Sequence, residues 1–257
     1  MNDDQLLRYS RHIMLPQMDV AGQERLLAAT VALIGLGGLG SPIALYLAAA
    51  GVGHLVLVDH DIVDRTNLQR QIVHHNSSVG MKKVESAAST LRALRPDIVL
   101  TLIDHKLDHD ALAALVATAT VVVEGTDNLE IRYALNDACT AAAVPWVSGA
   151  AIRFEGQVAA FDPRRADSPC YRCLFPQASP SDGNSGEVET CAETGVIAPL
   201  VGVVGSVQAL EVIKLITGIG TSLVGALLLF DAIDTTWHRL KLPRNPHCAT
   251  HRVPPPA

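Results

Sequence analysis

Aromatic residues are scarce, at 4% of the chain, and charged residues reach only 18%. Ala, Val and Leu dominate instead, the palette of α/β proteins whose strands are buried on both faces. An excess of basic charge is also missing. With 20 Lys and Arg against 26 Asp and Glu, the formal net charge is −6, so nothing draws the chain to nucleic acid or an anionic membrane. No cationic leader opens the sequence, because Asp3 and Asp4 stand where the basic part of a signal peptide would be. Nor is there an unbroken apolar run of membrane-spanning length. The nearest, residues 196–216, contains Pro199, Glu211 and Lys214 and reads as a buried core helix. The 5 cysteines are too few, and odd in number, for a secreted disulfide framework in so long a chain. These absences predict a soluble, cytoplasmic protein.

What is present is a large apolar fraction: 49% of 257 residues, ample for one core at the top of the single-domain range. Residues 5–28 read as helical segments. The apolar run 30–34 ends in a Gly-rich turn, 41–50 follows a helical pattern, and 54–58 is a second buried strand ending at Asp59. The alternation continues with a helix over 84–94, a strand over 98–103, a helix over 110–117 and a strand over 121–124. A helix over 132–142 and a strand over 146–148 follow. Beyond Gly149 the pattern changes: 154–161 alternates like an antiparallel strand, 199–216 reads as a long buried helix, and 225–231 as another strand. Residues 177–190 are polar and rich in Gly, Pro and Ser, the composition of a mobile loop, and 251–257 reads as a frayed tail. The expected fold is α/β, Rossmann-like and doubly wound, with a mainly parallel sheet and an antiparallel C-terminal extension. One unit is expected over 1–250, with a nucleotide-binding half at about 28–150 and a second half at about 151–250.

Three motifs point to phosphate chemistry. Gly35, Gly37 and Gly40 form G-x-G-x-x-G, with Gly38 inside it, between a strand and a helix. Such glycines let the backbone turn tightly and approach an anion at the helix N-terminus. The motif alone says adenosine and fits NAD, FAD or ATP. Asp59, ending the next strand, is placed to hydrogen-bond a ribose hydroxyl. Downstream come Asp61, the run Thr66, Asn67, Leu68, Gln69, Arg70 and Gln71, and then Lys82 and Lys83. A dehydrogenase needs no such cluster, whereas an enzyme handling three phosphates must compensate their charge. Arg70 and Lys83 are the better phosphate ligands, and Lys82 reads as a solvated charge. The third motif is Thr126-Asp127-Asn128, directly after the strand 121–124. A carboxylate at a strand's carboxyl end suits Mg²⁺ shared with phosphates, although Asp-Asn also serves as a helix cap or turn. The strand-end position favours the functional reading.

The combination of RYSRHIMLPQMDVAGQERL, GLGGLG, VDHD, TNLQRQ, KKVESA, GTDN and SGAAIRFEGQ resembles the MoeB/ThiF/HesA family, bacterial relatives of the ubiquitin-activating enzymes. CYRC, the segment 190–214 and LPRNPHC extend the resemblance from about residue 5 to about residue 250. The resemblance implies a homodimer with one ATP site per subunit. It also implies transfer of AMP to the C-terminal Gly-Gly carboxylate of a ubiquitin-like sulfur-carrier protein. Gly38 and Asp59 would contact nucleotide, residues 66–70 and Lys83 would hold ribose and phosphates, and Asp127 would bind Mg²⁺ beside Asn128. Arg11, otherwise an ordinary helix-surface charge, would act in the partner's site. SGAAIRFEGQ looks more like the molybdopterin type, with a thiamine-pathway or other sulfur carrier as the alternative and an NAD-dependent oxidoreductase as a distant one. No rhodanese-like segment is visible, so a separate sulfur donor is expected.

The cysteines raise two further questions. The family's two C-x-x-C pairs bind structural Zn²⁺; Cys170 and Cys173 match the first pair and Cys248 the third ligand, while the fourth position is His251. Zinc accepts Cys₃His sites, so these four residues are the expected zinc ligands in the second, carrier-binding half, with His247 a competing fourth ligand whose adjacency to Cys248 makes its geometry awkward. Cys191 matches a position where some relatives bond covalently to the carrier, but AMP transfer itself uses no thiol. Cys139 reads as core, and His74 and His75 as surface residues.

Overall fold

The structure, a computed structural model, describes residues 1–176 and 194–251. The expected loop at 177–190, Cys191 and residues 252–257 lie outside the described residues. Three short helices come first: α1 (Asp3–Arg8), α2 (Ser10–Ile13) and α3 (Asp19–Ala28). The alternating part follows as β1 (Thr30–Ile34), α4 (Gly40–Ala50), β2 (His54–Val58), α5 (Lys83–Leu94) and β3 (Val99–Ile103). It continues as α6 (His109–Thr118), β4 (Val121–Glu124), α7 (Leu129–Ala142) and β5 (Trp146–Ile152). The C-terminal part holds β6 (Glu155–Phe161), α8 (Tyr171–Leu174), α9 (Ala198–Thr217), β7 (Ala226–Asp231) and β8 (Thr236–Lys241).

The eight strands among the described residues join one sheet in the order β3-β2-β1-β4-β5-β6-β7-β8. The first five run parallel, and β6, β7 and β8 continue as an antiparallel meander. This is the doubly wound order, extended at one edge. The two-residue period of the strands divides the core. Val31, Leu33, Leu55, Leu57 and Val123 face α4, α5 and α9, while Ala32, Ile34, Val56, Val58 and Val122 face α6 and α7. α9 is long and apolar enough to cross a membrane by composition, but half of that window is buried against β5, β6 and α4.

The element boundaries differ from expectation in instructive ways. α7 starts three residues earlier than its apolar pattern because Asn128 caps it, accepting from the Ile131 N–H at 3.2 Å. β5 runs past Ser148 to Ile152, since β6 pairs with it in register from Trp146↔Phe161 to Ile152↔Glu155. The expected boundary near residue 150 therefore falls inside a strand shared by both halves. β8 has no counterpart among the expected elements. Every one of its residues is exposed, so no hydrophobic alternation announces it; it forms as the edge partner of β7, with Trp237 stacked on Phe230.

A buried ion pair ties the centre of the sheet together. Glu124, the last residue of β4, is fully buried and lies 3.0 Å from Arg132 Nε on α7. Its carboxylate accepts from Ser148 Oγ at 2.6 Å and from the Thr126 N–H at 2.9 Å. Arg132 in turn donates to the Thr126 and Gly149 carbonyls, and Gln208 of α9 donates to the Glu124 carbonyl. Burial disfavours the Arg132 cation, yet the facing Glu124 carboxylate and Tyr171 together outweigh this and raise its pKa. Removing one partner strands a buried charge. Arg132→Met is therefore expected to lower unfolding free energy by about 3–5 kcal/mol in urea titrations, with Glu124→Gln/Arg132→Met recovering part of the loss. Equal stability of wild type and Arg132→Met would refute this account.

Candidate functional site

Three parallel strands end at the same level. Ile34 of β1 is in register with Val58 of β2 and with Glu124 of β4. The next residues, Gly35, Asp59 and Gly125, are therefore neighbours at the carboxyl edge, where ligands of doubly wound sheets bind. Gly35 has φ +92° and leads the chain into α4. A side chain at Gly40 would meet the Gly35 carbonyl, and one at Gly38 would press on Val201 of α9. Gly37, by contrast, faces only the Gln71 amide at ordinary contact distance, so its side of the turn is open. No side chain caps α4, whose first N–H groups give the partial positive charge that favours an anion.

Asp59 is buried and faces the turn rather than solvent. Its carboxylate accepts from the Leu36 N–H at 2.7 Å and from the Asp61 N–H at 2.9 Å. Asp61 is the more exposed acid, and Lys83 Nζ lies 2.8 Å from it and 4.0 Å from Asp59 Oδ2. Partial burial pushes the Asp61 carboxyl up, but the hydrogen bond and charge of Lys83 outweigh this and hold it below the usual range. Lys83, the first residue of α5, is itself buried; Lys82 just before it is half-buried. The structure thus places Lys83 beside the glycine turn.

Thr66 and Asn67 lie in a 3-10 turn, Arg65–Asn67, capped by Asp64. Thr66 is engaged with Asp64, Leu68 is half-buried and Gln69 exposed. Arg70 folds back on this turn, donating to Asn67 Oδ1 at 3.2 Å and to the Thr66 carbonyl at 3.4 Å. Gln71 is buried, and its amide is what faces Gly37, which brings the segment against the glycine turn. His74 corrects an expectation. It is buried, not a surface residue, with Nε2 3.1 Å from the Leu36 carbonyl and Nδ1 2.9 Å from Ser86 Oγ. Burial pushes its pKa down, and nearby Lys83 adds to this against the Leu36 carbonyl and Asp59, so the imidazole is neutral at neutral pH. No sequence pattern marks it, because its burial depends on a loop folding under the turn. His75 is exposed, as expected.

Asp127 is exposed just beyond β4, and Gly125 touches Gly40, so this loop flanks the glycine turn. Arg11 lies elsewhere. Its neighbour His12 contacts Gln23, which donates to the Ala50 carbonyl at the C-terminal end of α4. The 11 residues of α4 put Arg11 on the order of 16 Å from the turn of its own chain. The residues gathered at the edge are thus Gly35, Gly37, Gly38, Gly40, Asp59, Asp61, Lys83, Asp127 and the 66–71 segment, without Arg11.

A second constellation lies on the α7 side of the sheet. Cys170 Sγ is 3.8 Å from Cys173 Sγ and 3.6 Å from Cys248 Sγ, and Cys173 Sγ is 3.2 Å from His251 Nε2. Tetrahedral zinc with Zn–S bonds of about 2.3 Å sets ligand sulfurs about 3.8 Å apart, so the donor set fits the ion. Burial, with the neighbouring Cys173 and Cys248, pushes the Cys170 thiol up to about 12, a penalty that a cation would remove. Burial also lowers the His251 pKa, leaving the neutral imidazole that ligates metals. Buried Asn136 of α7 holds both sides of the cluster, accepting from the Tyr171 N–H at 2.8 Å and reaching Thr250 Oγ1 at 3.4 Å. His247 is exposed and outside the cluster, and Cys139 is buried on α7 as expected.

Comparison with known proteins fits this geometry. The profile of the ThiF family matches residues 9–250. The chain is 46% identical over 244 residues to the SAMP-activating enzyme E1 of Haloferax volcanii, covering 95% of this chain and 88% of that protein. It is also 46% identical over 248 residues to the molybdopterin-synthase adenylyltransferase of Salmonella typhimurium, covering 96% of this chain and 97% of that one. Among solved structures, E. coli MccB with ATP matches in fold with a TM-score of 0.81 at 24% identity, covering 95% of this chain and 74% of that chain. Matched at this identity along nearly its whole length, the chain belongs to the ThiF family.

Proposed function

We propose that this chain transfers AMP from ATP to the C-terminal carboxylate of a ubiquitin-like sulfur-carrier protein, releasing pyrophosphate. The chain is an adenylyltransferase, in line with the names of its relatives. The observation that carries the reading is the pairing of an open glycine turn with buried Lys83 beside it, an arrangement made for phosphate rather than for hydride transfer. A nicotinamide enzyme has no use for that ammonium or for Arg70 in the neighbouring 66–71 segment. The carrier is a molybdopterin-synthase type subunit in this reading. The names of two bacterial relatives, both molybdopterin-synthase adenylyltransferases, support that choice over a thiamine-pathway carrier. The protein works as a soluble cytoplasmic enzyme, and sulfur comes from a separate donor.

The chemistry asks the protein for position and charge. A terminal carboxylate is ionised at neutral pH, so no general base is needed. One of its oxygens attacks the α-phosphorus, the bond to the bridging oxygen breaks, and pyrophosphate leaves with that electron pair. Helix α4 and the turn hold phosphate through backbone N–H groups, while Arg70 and Lys83 balance the charge that develops. Asn67, Asn128, Asp59 and Asp61 line ribose and phosphates. The carboxylates of Asp59, Asp61 and Asp127 outnumber these two cations even before the negative charge of ATP is counted, which argues for further positive charge from outside the set. Asp127 would hold Mg²⁺, an oxygen-seeking ion that neutralises phosphate. Arg11 would come from a second copy, since its own turn is out of reach, which makes the active form a homodimer. Cys170, Cys173, Cys248 and His251 would hold structural Zn²⁺, clamping the C-terminal segment to α8.

Lys83→Ala, Arg70→Ala and Asp127→Ala should each lower carrier-dependent ATP–pyrophosphate exchange by about 100-fold or more, the range for removing one preorganised charge partner. Exchange unchanged in all three would sink the phosphate reading. Mixing Arg11→Ala with Asp127→Ala protein after subunit exchange should restore part of the activity, because one site of the mixed dimer is intact. Activity that stays absent while mixed dimers form speaks against an arginine supplied across the interface. Protein purified without chelator should carry about one zinc per chain by elemental analysis, and His251→Ala should lose it faster to a chromogenic chelator. Zinc-free protein with native stability would remove the metal from the account.

A further inference from the structure

We infer that His74 is the positioning residue that holds the glycine turn in register with Arg70 and Lys83, without itself touching the nucleotide. The inference rests on the ATP reading above and deepens it. Both backbone groups of Leu36, at the centre of the turn, are held by buried side chains. Its N–H donates to Asp59 Oδ2 at 2.7 Å, and its carbonyl lies 3.1 Å from His74 Nε2. A carbonyl only accepts, so Nε2 carries the proton in this contact. No backbone N–H among the described residues donates to the Leu36 carbonyl, which leaves His74 as its partner. Leu36 is fully buried, so without His74 its carbonyl would be left unpaired.

The other imidazole nitrogen and the backbone of His74 bind the remaining phosphate-handling pieces. Nδ1 is 2.9 Å from Ser86 Oγ, one turn along α5 from Lys83, and Ser86 continues to Ser78 Oγ at 2.8 Å. The His74 N–H donates to the Gln71 carbonyl, and the Arg70 and Gln71 N–H groups both donate to the Asn67 carbonyl. One side chain thus joins the glycine turn, the segment bearing Asn67 and Arg70, and the helix bearing Lys83. A buried histidine that served only stability would matter to folding and leave the affinity of the folded protein for phosphates unchanged. A positioning residue would also set how tightly the turn and the two cations converge on them. Small errors of placement carry large losses at such sites.

The amides separate the two contacts. Gln reaches about as far as Nε2 and keeps the donor to Leu36, while Asn reaches as far as Nδ1 and keeps only the Ser86 contact. Mg-ATP is titrated calorimetrically into wild type, His74→Gln, His74→Asn and, as a control, Lys83→Ala, each with a thermal melt to establish that it is folded. His74→Gln should bind within about threefold of wild type and His74→Asn at least tenfold more weakly. Equal affinity in both amide variants, or a loss beyond threefold in His74→Gln, overturns the assignment. If His74→Asn does not fold, His74→Ala, which removes both contacts, takes its place, with the same tenfold loss expected and equal affinity overturning the assignment. Wild type that fails to bind Mg-ATP sinks the ATP reading and this inference with it. Binding abolished by Lys83→Ala but kept in both His74 variants sinks only the inference.

Discussion

Parallel pairing with matched strand ends is the constraint on which the candidate site depends. Because β1, β2 and β4 stop at one level, three loops that are far apart in sequence must emerge side by side. The hydrogen bonds at this edge run from the Gly35 N–H to the Val58 carbonyl and from the Gly125 N–H to the Ile34 carbonyl, both at 2.8 Å. A one-residue slip would turn every side chain of a strand to the opposite face and separate the turn from its acids. The buried pair Glu124–Arg132 stabilises this arrangement from below, since it holds the loop after β4, the middle of β5 and the start of α7 in one network. Residues that never reach solvent thus fix the position of Asp127, which does.

The electrostatics of the edge divide between held and free charge. Asp59 is committed to backbone N–H groups and keeps Leu36 in place, while Asp61 shares the ammonium of Lys83. Arg70 rests on its own turn, so a phosphate that recruits it replaces contacts to neutral oxygens, which are weaker than those to a charged partner. In the proposed reading such a site would bind anions without a permanent excess of positive charge, in keeping with the net charge of −6. The cysteine–histidine cluster stands apart from this edge, yet both are anchored on α7. Asn128 and Arg132 lie at the helix's start, and Asn136 and Asp137 hold the segments that carry Cys170, Cys173 and His251.

Local physics wrote much of this fold into the sequence. Period-two apolar runs, glycines at the exit of β1 and the polar residues that follow each strand were enough to read the α/β alternation and to single out Asp59, Arg70, Lys83 and Asp127. β8 escaped because an exposed edge strand lacks an apolar face, and the extension of β5 escaped because it depends on a partner strand. His74 and Arg132 were illegible for a related reason. A polar residue buried by contacts 38 or 17 residues away looks the same in sequence as one in solvent.

The sequence by itself determined the class of fold, the order of the strands' chemistry and the types of side chain available for phosphate and metal, because these follow from periodicity and donor type. Tertiary structure alone decided which of those side chains meet. It turned Asp59 inward to the turn, seated Lys83 between two carboxylates, kept Arg11 away from its own chain's edge and drew the ligand atoms of Cys170, Cys173, Cys248 and His251 within 4.8 Å of one another. Each of these depends on long-range packing, whose free energy is shared across the whole core and leaves no mark on any short stretch of chain.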